Sequence, residues 1–170
     1  QPIGAMLCSG AIYDAIAGGS GFFQHGHTYV GHPVAAAAGL AVLRALLEDD
    51  MMGRVRHLGG RLDAALRAAL GQHPHVGDIR GRGLFQGVEI VADRDTKAPF
   101  DPALKIHARI KAAAFEAGLI CYPMPGARDG QLGDHVLLAP PFVMAQDDAE
   151  LIAARLQKAI ETALAGAGQG

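Results

Sequence analysis

The sequence predicts an α/β protein of the α+β kind, with a small antiparallel or mixed sheet covered by helices. Apolar residues recur every three or four residues in three separate stretches, which is the period of a helix buried on one face. Short apolar or alternating runs between them suit strands, without the long regular βαβ order of a doubly wound sheet. At 170 residues the chain is long enough for one ordinary domain and its core.

The chain opens with a short apolar run. Residues 3–9 suit a buried strand, because Pro2 and Gly10 bound them. Residues 11–17 predict a brief helix, which ends in the glycine-rich run 18–21. A strand without its sheet leaves backbone groups unpaired, so we expect the first run either to find a pairing partner or to be disordered.

Two helical stripes follow, and both predict core packing. The first has Leu40, Leu43 and Leu47 on a background of alanines. The second has apolar residues at the same period, with arginines on its other faces, and consists of Val55, Leu58, Leu62, Leu66 and Ala69. We expect each helix to bury its apolar face in the core.

The rest of the chain predicts short strands between two further helices. Strands are expected within 73–83, 84–91, 119–122 and 136–139, and Leu84, Gln86, Val88 and Ile90 are expected on one side of the second strand. Helices are expected at 103–117 and around Ile152, Leu156, Ile160 and Ala163. Loops are expected at 92–102 and 123–134, and a frayed tail at 166–170.

Composition argues against several classes of partner. The formal net charge of −2 gives no electrostatic basis for binding nucleic acid or an acidic membrane surface. No apolar run reaches the length of a membrane span. Cys8 and Cys121 are the only cysteines and lie far apart, so neither a disulfide framework nor a Cys-rich zinc site is indicated. We therefore expect a protein of the reducing cytoplasm.

A polar loop at 22–33 is the most informative stretch for function. Pro33 fits the first position of the following helix, and Gly26 and Gly31 permit turns that other residues disfavour. A loop that leads into a helix N-terminus favours anions, because free N–H groups and the positive end of the helix dipole face the ligand. Thr28 adds a hydroxyl to this set.

The same loop has a second interpretation, as a metal site. His25, His27 and His32 could converge on one ion, since histidine is a common ligand and glycine breaks the backbone between them. No carboxylate or cysteine lies nearby, and histidines in loops often serve only as hydrogen-bonding groups. The anion site is therefore the favoured interpretation, and no metal ligand is assigned.

Three motifs resemble those of a known enzyme family. Residues 25–33, HGHTYVGHP, resemble the H-G-x-T-Y-x-G-H-P segment of the class III, or omega, aminotransferases. Residues 75–84 contain VGDIRGRGL, which is similar to the family's V-G-D-x-R-G-x-G-L stretch, and 133–142, GDHVLLAPPF, resemble its late G-D-H-x-x-x-x-P-P segment. Their order and rough spacing agree with the family over nearly the whole chain.

The resemblance implies a pyridoxal-phosphate enzyme of fold type I. Residues 1–33 would be the end of its large cofactor-binding domain, and 34–170 its C-terminal small domain. Residues 1–5, QPIGA, resemble a segment that comes shortly after the family's Schiff-base lysine, so that lysine is expected upstream of Gln1 and no catalytic residue is assigned. The chain's own lysines stand in other contexts, at positions 97, 105, 111 and 158.

The resemblance also implies roles for individual side chains. Thr28 would reach across a homodimer to the phosphate of the partner's pyridoxal phosphate, with His27 and Tyr29 beside it in the cofactor-binding loop. Arg128 lies near an arginine of amine:pyruvate-type relatives that binds the substrate carboxylate, about two residues out of register. Ornithine-type relatives have such an arginine where this chain has Leu137, which disfavours that substrate class.

Two further arginines stand between glycines. Arg80 and Arg82 could bind an anion, but a structural ion pair with Asp78 is the more common arrangement for such residues. We therefore expect an ion pair here.

The resemblance implies that the whole enzyme transfers an amino group between an amine or amino acid and an oxo acid, and that this chain alone is inactive. The alternative is a non-enzymatic module, which would use the folded chain for dimerisation or the loop histidines for metal binding. A stoichiometric zinc signal would favour the module.

Overall fold

A computed structural model describes residues 2–166, and these form two compact units. The first unit ends at Met51 and the second begins at Met52. The domain boundary predicted between residues 33 and 34 concerns the domains of a longer enzyme, and it stays a prediction. Of the tail predicted at 166–170, all but Gly166 lies outside the described residues.

The first unit contains two helices, α1 (Gly10–Gly18) and α2 (Pro33–Glu48), joined by the polar loop. Both helices were predicted, and both are confirmed. The prediction of a strand at 3–9 was wrong, because these residues form no strand. The first unit offers no strand to pair with them, and an extended segment without a partner gains no ladder hydrogen bonds.

The first unit encloses no core of its own. Among residues 2–51 none is buried, and the stripe expected to pack in a core is exposed: Leu40 is 49%, Leu43 57% and Leu47 81% accessible. That part of the prediction was wrong. Two helices and a loop are too few layers to cover an apolar helix face, so the sequence period alone could not say what would cover it.

The second unit is a four-stranded antiparallel sheet with helices, as predicted. Its elements are α3 (Met51–Leu70), β1 (Val76–Arg82), β2 (Phe85–Ile90), a short 3-10 helix (Pro102–Leu104), α4 (Ile106–Glu116), β3 (Tyr122–Arg128), β4 (Leu132–Leu138) and α5 (Asp148–Ala165). The strand order is β1-β2-β4-β3. None of the helices within residues 2–166 is both long and apolar enough to cross a bilayer.

One hydrophobic core joins the sheet to α3, α4 and α5. The second predicted stripe is confirmed there, since Leu58, Leu62 and Leu66 on α3 are at most 1% exposed. The alternation predicted for β2 is also confirmed, because Gln86 and its alternate apolar neighbours face the core. Period-2 and period-3.6 patterns therefore identified the buried faces of this unit.

The prediction of a loop at 123–134 was wrong, because most of these residues belong to the hairpin that β3 and β4 form. The strand expected at 119–122 begins only at Tyr122. Pro123 and Pro125 explain the error, since proline cannot donate a hydrogen bond and usually marks the end of a strand. Here β3 is an edge strand, which tolerates proline on its unpaired side.

Two histidines in the turn before β1 have defined hydrogen-bonding roles. The His73 Nδ1 accepts the backbone N–H of His75 at 3.1 Å, so this nitrogen is unprotonated. The His75 Nδ1 lies 3.1 Å from the carbonyl oxygen of Val91 and 3.0 Å from that of Ala92, which makes it the donor. Burial lowers the pKa of His73, and the neighbouring His75 lowers it further; Glu161 opposes this shift, and Arg94 adds the smallest lowering effect.

We expect His73 to make the second unit less stable in mild acid. Its folded-state pKa lies below the ordinary value of about 6.5, so the unfolded chain takes up the proton first as the pH falls. The stabilisation is therefore fully present above about pH 6.5 and is lost as the pH falls through the folded pKa. Urea unfolding at about pH 7.5 and about pH 5.5 measures the loss.

His73→Asn is the matched variant, because asparagine keeps an acceptor and does not titrate. It should lose less stability between the two pH values than the parent chain. An equal loss in both would contradict the assignment to His73.

Candidate functional site

Thr28 lies in the first of two successive turns between α1 and α2. It is the second residue of a turn in which the Val30 N–H donates to the carbonyl of His27 at 3.0 Å. In the second turn Gly31 has φ +72°, a conformation that residues with a Cβ rarely adopt. The sequence H-T-Y-V-G therefore folds locally, through short-range hydrogen bonds and one glycine.

The turns lead directly into the N-terminus of α2. His32 is the N-cap, and its Nδ1 accepts the Ala35 N–H at 3.3 Å. Pro33 occupies the first helical position, as predicted, and the first turn of α2 has no acidic residue. The positive end of the helix dipole is therefore not neutralised by a side chain of its own helix.

The side chains of this loop are available to a ligand. His27, Thr28 and Tyr29 are all exposed, and no hydrogen bond within the described residues engages the Thr28 hydroxyl. No aspartate or glutamate occurs between residues 22 and 36. A hydroxyl, imidazoles and a helix N-terminus without nearby carboxylates form a donor set that fits a phosphate group.

An open depression of about 560 Å³ lies beside the turns. It is lined by residues 2–4, by His27 and 29–32 in the loop, and by Ala35 and Ala36 in the first turn of α2. The loop predicted to bind an anion therefore borders a space open to a ligand.

Two of the three loop histidines contact each other through their rings, whereas His32 lies against Tyr29. The His25 and His27 ring centroids are 5.0 Å apart in an edge-to-face arrangement, and Phe23 packs against His25 at 5.8 Å. Across residues 2–166 the structure has no group of three or more His, Cys, Asp or Glu side chains arranged to hold a metal ion.

Arg128 belongs to the second unit, at the tip of the β3–β4 hairpin. The Gln131 N–H donates to its carbonyl at 3.1 Å, and Asp129 and Gly130 have φ +55° and +71°, as in a two-residue type I′ turn. The Asp-Gly pair is the sequence signal for this hairpin, and the loop predicted at 123–134 did not take it into account. The Arg128 side chain is exposed. The two predicted binding residues therefore belong to different units, Thr28 to the first and Arg128 to the second.

The ion pair predicted between Arg80 and Asp78 is confirmed, and a second carboxylate, that of Glu89, also takes part. The Arg80 guanidinium lies 2.9 Å from Asp78 and 2.9 Å from Glu89. The hydrogen bond from Arg80 lowers the pKa of Asp78. Glu89 was missed by sequence reasoning because it lies on β2, where the sheet register places it opposite Asp78. Arg82 is exposed and has no ion-pair partner among residues 2–166.

The four lysines lie in the second unit, and all are exposed. Lys111 and Lys158 are on α4 and α5, and Lys105 immediately precedes α4. No lysine therefore lies in the unit that contains the phosphate-fitting loop.

The fold and the loop together define an α+β protein with a phosphate-fitting helix N-terminus, and comparison with known proteins identifies its family. The family model described as aminotransferase class-III matches residues 1–160, so the chain belongs to the class III aminotransferases. This confirms the resemblance seen in the three motifs.

Individual relatives agree with this assignment. An aminotransferase of Gibberella zeae is 42% identical over 164 residues, which cover 96% of this chain and 32% of the relative. A transaminase from directed evolution by ancestral reconstruction superposes with a TM-score of 0.81 at 36% identity, over 92% of this chain and 34% of its own. A pyridoxal-phosphate-bound aminotransferase mutant from Vibrio fluvialis superposes with a TM-score of 0.79 at 30% identity, over 91% of this chain and 32% of the mutant's chain. The chain spans about a third of the length of these relatives.

Proposed function

We propose that this chain is the C-terminal part of a pyridoxal-phosphate-dependent aminotransferase. The whole enzyme would transfer an amino group between an amine or amino acid and an oxo acid. Family membership and the one-third coverage of the relatives support this proposal. The single observation that carries it is the unengaged Thr28 hydroxyl in the turns that precede α2, inside the motif that the family shares.

The loop residues would hold the phosphate of the cofactor. The Thr28 hydroxyl would donate a hydrogen bond to a phosphate oxygen, and the positive end of the α2 dipole would stabilise its charge. His27 and Tyr29 flank this position and would complete the cofactor-binding loop. When bound, the cofactor supplies an electron-withdrawing ring that stabilises the negative charge formed at the substrate carbon.

We also propose that the whole enzyme is a homodimer in which Thr28 serves the cofactor of the partner subunit. The exposed apolar surface of the first unit supports a covering partner, since Tyr29 and Val30 beside Thr28 are 76% and 72% accessible. A cytoplasmic location remains our prediction. Arg128 remains our proposed anchor for the substrate carboxylate, and its exposed position on the hairpin tip keeps its guanidinium accessible.

This chain by itself should not form the covalent link to the cofactor. Incubation with pyridoxal phosphate, followed by borohydride and peptide mass spectrometry, should give no specific lysine adduct. A chain extended upstream of Gln1 should give one stoichiometric adduct in the added residues. A stoichiometric adduct at one of the four exposed lysines would contradict the proposal.

Thr28→Val in the extended chain should weaken cofactor binding by roughly tenfold to a hundredfold, because a hydrogen bond to a charged group is worth about 1.5–3 kcal/mol. Thr28→Ser should keep most of the affinity, since it retains the hydroxyl. Titration with pyridoxal phosphate and with pyridoxal separates the phosphate role from a structural one. Pyridoxal has no phosphate, so its affinity should be unchanged; an equal loss for both ligands would contradict the assignment.

A further inference from the structure

His32 connects the two turns around Thr28 to α2 through three of its own atoms. Its backbone N–H donates to the carbonyl of Tyr29 at 3.1 Å, which closes the second turn. Its carbonyl accepts the Ala36 N–H at 2.9 Å, the first hydrogen bond of the helix. Its Nδ1 accepts the Ala35 N–H at 3.3 Å. In the described part of the chain, every hydrogen bond between the turns and the helix therefore involves His32.

The contact with Ala35 determines which nitrogen of the His32 ring carries the proton. A ring nitrogen that accepts a backbone N–H is unprotonated, so the ring is neutral and holds its proton on Nε2. The Tyr29 ring lies beside it, with the two centroids 5.9 Å apart and the planes inclined by 51°. The cap therefore fixes the orientation of the ring as well as the first turn of α2.

The cap also determines which backbone donor of α2 stays free for a ligand. Pro33 has no N–H to offer, and the Ala35 N–H is engaged by His32. In the residues that the structure describes, nothing accepts the N–H of Val34. The N–H groups of a first turn point toward the N-terminal end of their helix. The Val34 N–H is therefore the donor that the first turn of α2 keeps free for an anion.

Local hydrogen bonds are what hold these turns in place. None of residues 2–51 is buried, so no core fixes the backbone around Thr28. Loss of an N-cap side chain destabilises the first turn of a helix, and a looser loop samples more conformations. A loop binds an anion more weakly when only a fraction of the molecules has its donors in place. The affinity of this loop for an anion should therefore depend on the cap.

We propose that His32 is a positioning residue for the phosphate group that the Thr28 loop binds. Through Nδ1 it caps α2 and keeps the Thr28 hydroxyl and the Val34 N–H in one fixed arrangement, and the phosphate contacts those donors and not the His32 ring. The proposal rests on the function proposed for Thr28. Because His32 also lines the depression beside the turns, direct contact through its Nε2–H is the rival role that a test has to separate.

Three substitutions in a chain extended upstream of Gln1 separate the two roles. Asparagine places an acceptor near the position of Nδ1 and is a preferred N-cap, whereas the longer glutamine reaches the position of Nε2 and is not. His32→Ala and His32→Gln should weaken the binding of pyridoxal phosphate by about threefold to tenfold. His32→Asn should stay within about twofold of the parent. The binding of pyridoxal, which has no phosphate, should change in none of them.

Hydrogen–deuterium exchange of the cofactor-free extended chain gives a readout without the ligand. Peptides from the first turn of α2 should exchange faster in His32→Ala and His32→Gln, and at the parent's rate in His32→Asn. His57→Ala is the matched control, because it removes an exposed histidine from α3. It should leave the exchange of α2 and both affinities unchanged.

Recovery by glutamine instead of asparagine would overturn the proposal, because His32 would then contact the ligand directly. An equal loss for pyridoxal would also overturn it, since the effect would not concern the phosphate. Unchanged binding in His32→Ala, beside a phosphate-specific loss in Thr28→Val, would refute the role of His32 and leave that of Thr28 standing. If Thr28→Val showed no phosphate-specific loss, the proposed function itself would fail, and the role of His32 with it.

Discussion

Gly59→Ala should lower the free energy of unfolding of the second unit by about 1–3 kcal/mol. Gly59 lies on the buried face of α3, where the helix packs against the turn between β1 and β2. A Cβ at this position would lie 2.5 Å from the backbone carbonyl carbon of Gly83, and backbone cannot move aside as a side-chain end can. The gain in helix propensity, about 1 kcal/mol, is smaller than the cost of separating α3 from the turn.

Gly60→Ala is the matched control. The next residue has nothing within 4 Å of an added Cβ, so alanine there should stabilise the chain by about 0.5–1 kcal/mol through helix propensity alone. Urea unfolding of the parent and both variants measures the difference. If Gly59→Ala proved as stabilising as Gly60→Ala, close packing at Gly83 would be ruled out as the reason for glycine at 59.

Asp134→Ala should lower the free energy of unfolding by about 2–3 kcal/mol, because hydrogen bonds to a charged group are lost. Asp134 is on β4 and only 6% exposed. Its carboxylate accepts the backbone N–H of His107 at 3.0 Å, and the same oxygen lies 2.6 Å from the His107 Nδ1. Lys105, the N-cap of α4, gives no side-chain cap, so a residue from a distant strand satisfies the first turn of the helix.

Asp134→Asn separates the capping role from the charge. Asparagine keeps one acceptor for the His107 N–H, so it should lose about half as much stability as alanine does. Thermal and urea unfolding, with amide exchange at the first turn of α4, measure both effects. Equal stability of the alanine variant and the parent would contradict the role given to Asp134.

The sequence predicted much of the second unit because its patterns are long and regular. Leu58, Leu62 and Leu66 repeat at the helical period, and β2 alternates over its whole length. Prediction failed at β3, where two prolines hid an edge strand and the Asp129-Gly130 turn signal was overlooked. It also failed at 3–9, since a local apolar run cannot show whether a pairing strand exists.

The candidate site was predicted only in part. The position of Thr28 before α2 followed from Gly31, Pro33 and the motif around them, all of which are local. Its proposed role came from family resemblance and was not deducible from composition or period. Glu89 could not be assigned to Arg80 from sequence, because the two residues meet only through the register of β1 and β2.

The sequence by itself determined the family, the helix stripes and the glycine-dependent turns around Thr28, because each depends on residues close together in the chain. Only the tertiary structure decided which apolar faces are covered, and it placed Asp134 at the N-terminus of α4 and Gly59 against Gly83. These contacts join residues distant in sequence, so their energies depend on packing and register, which no local pattern specifies.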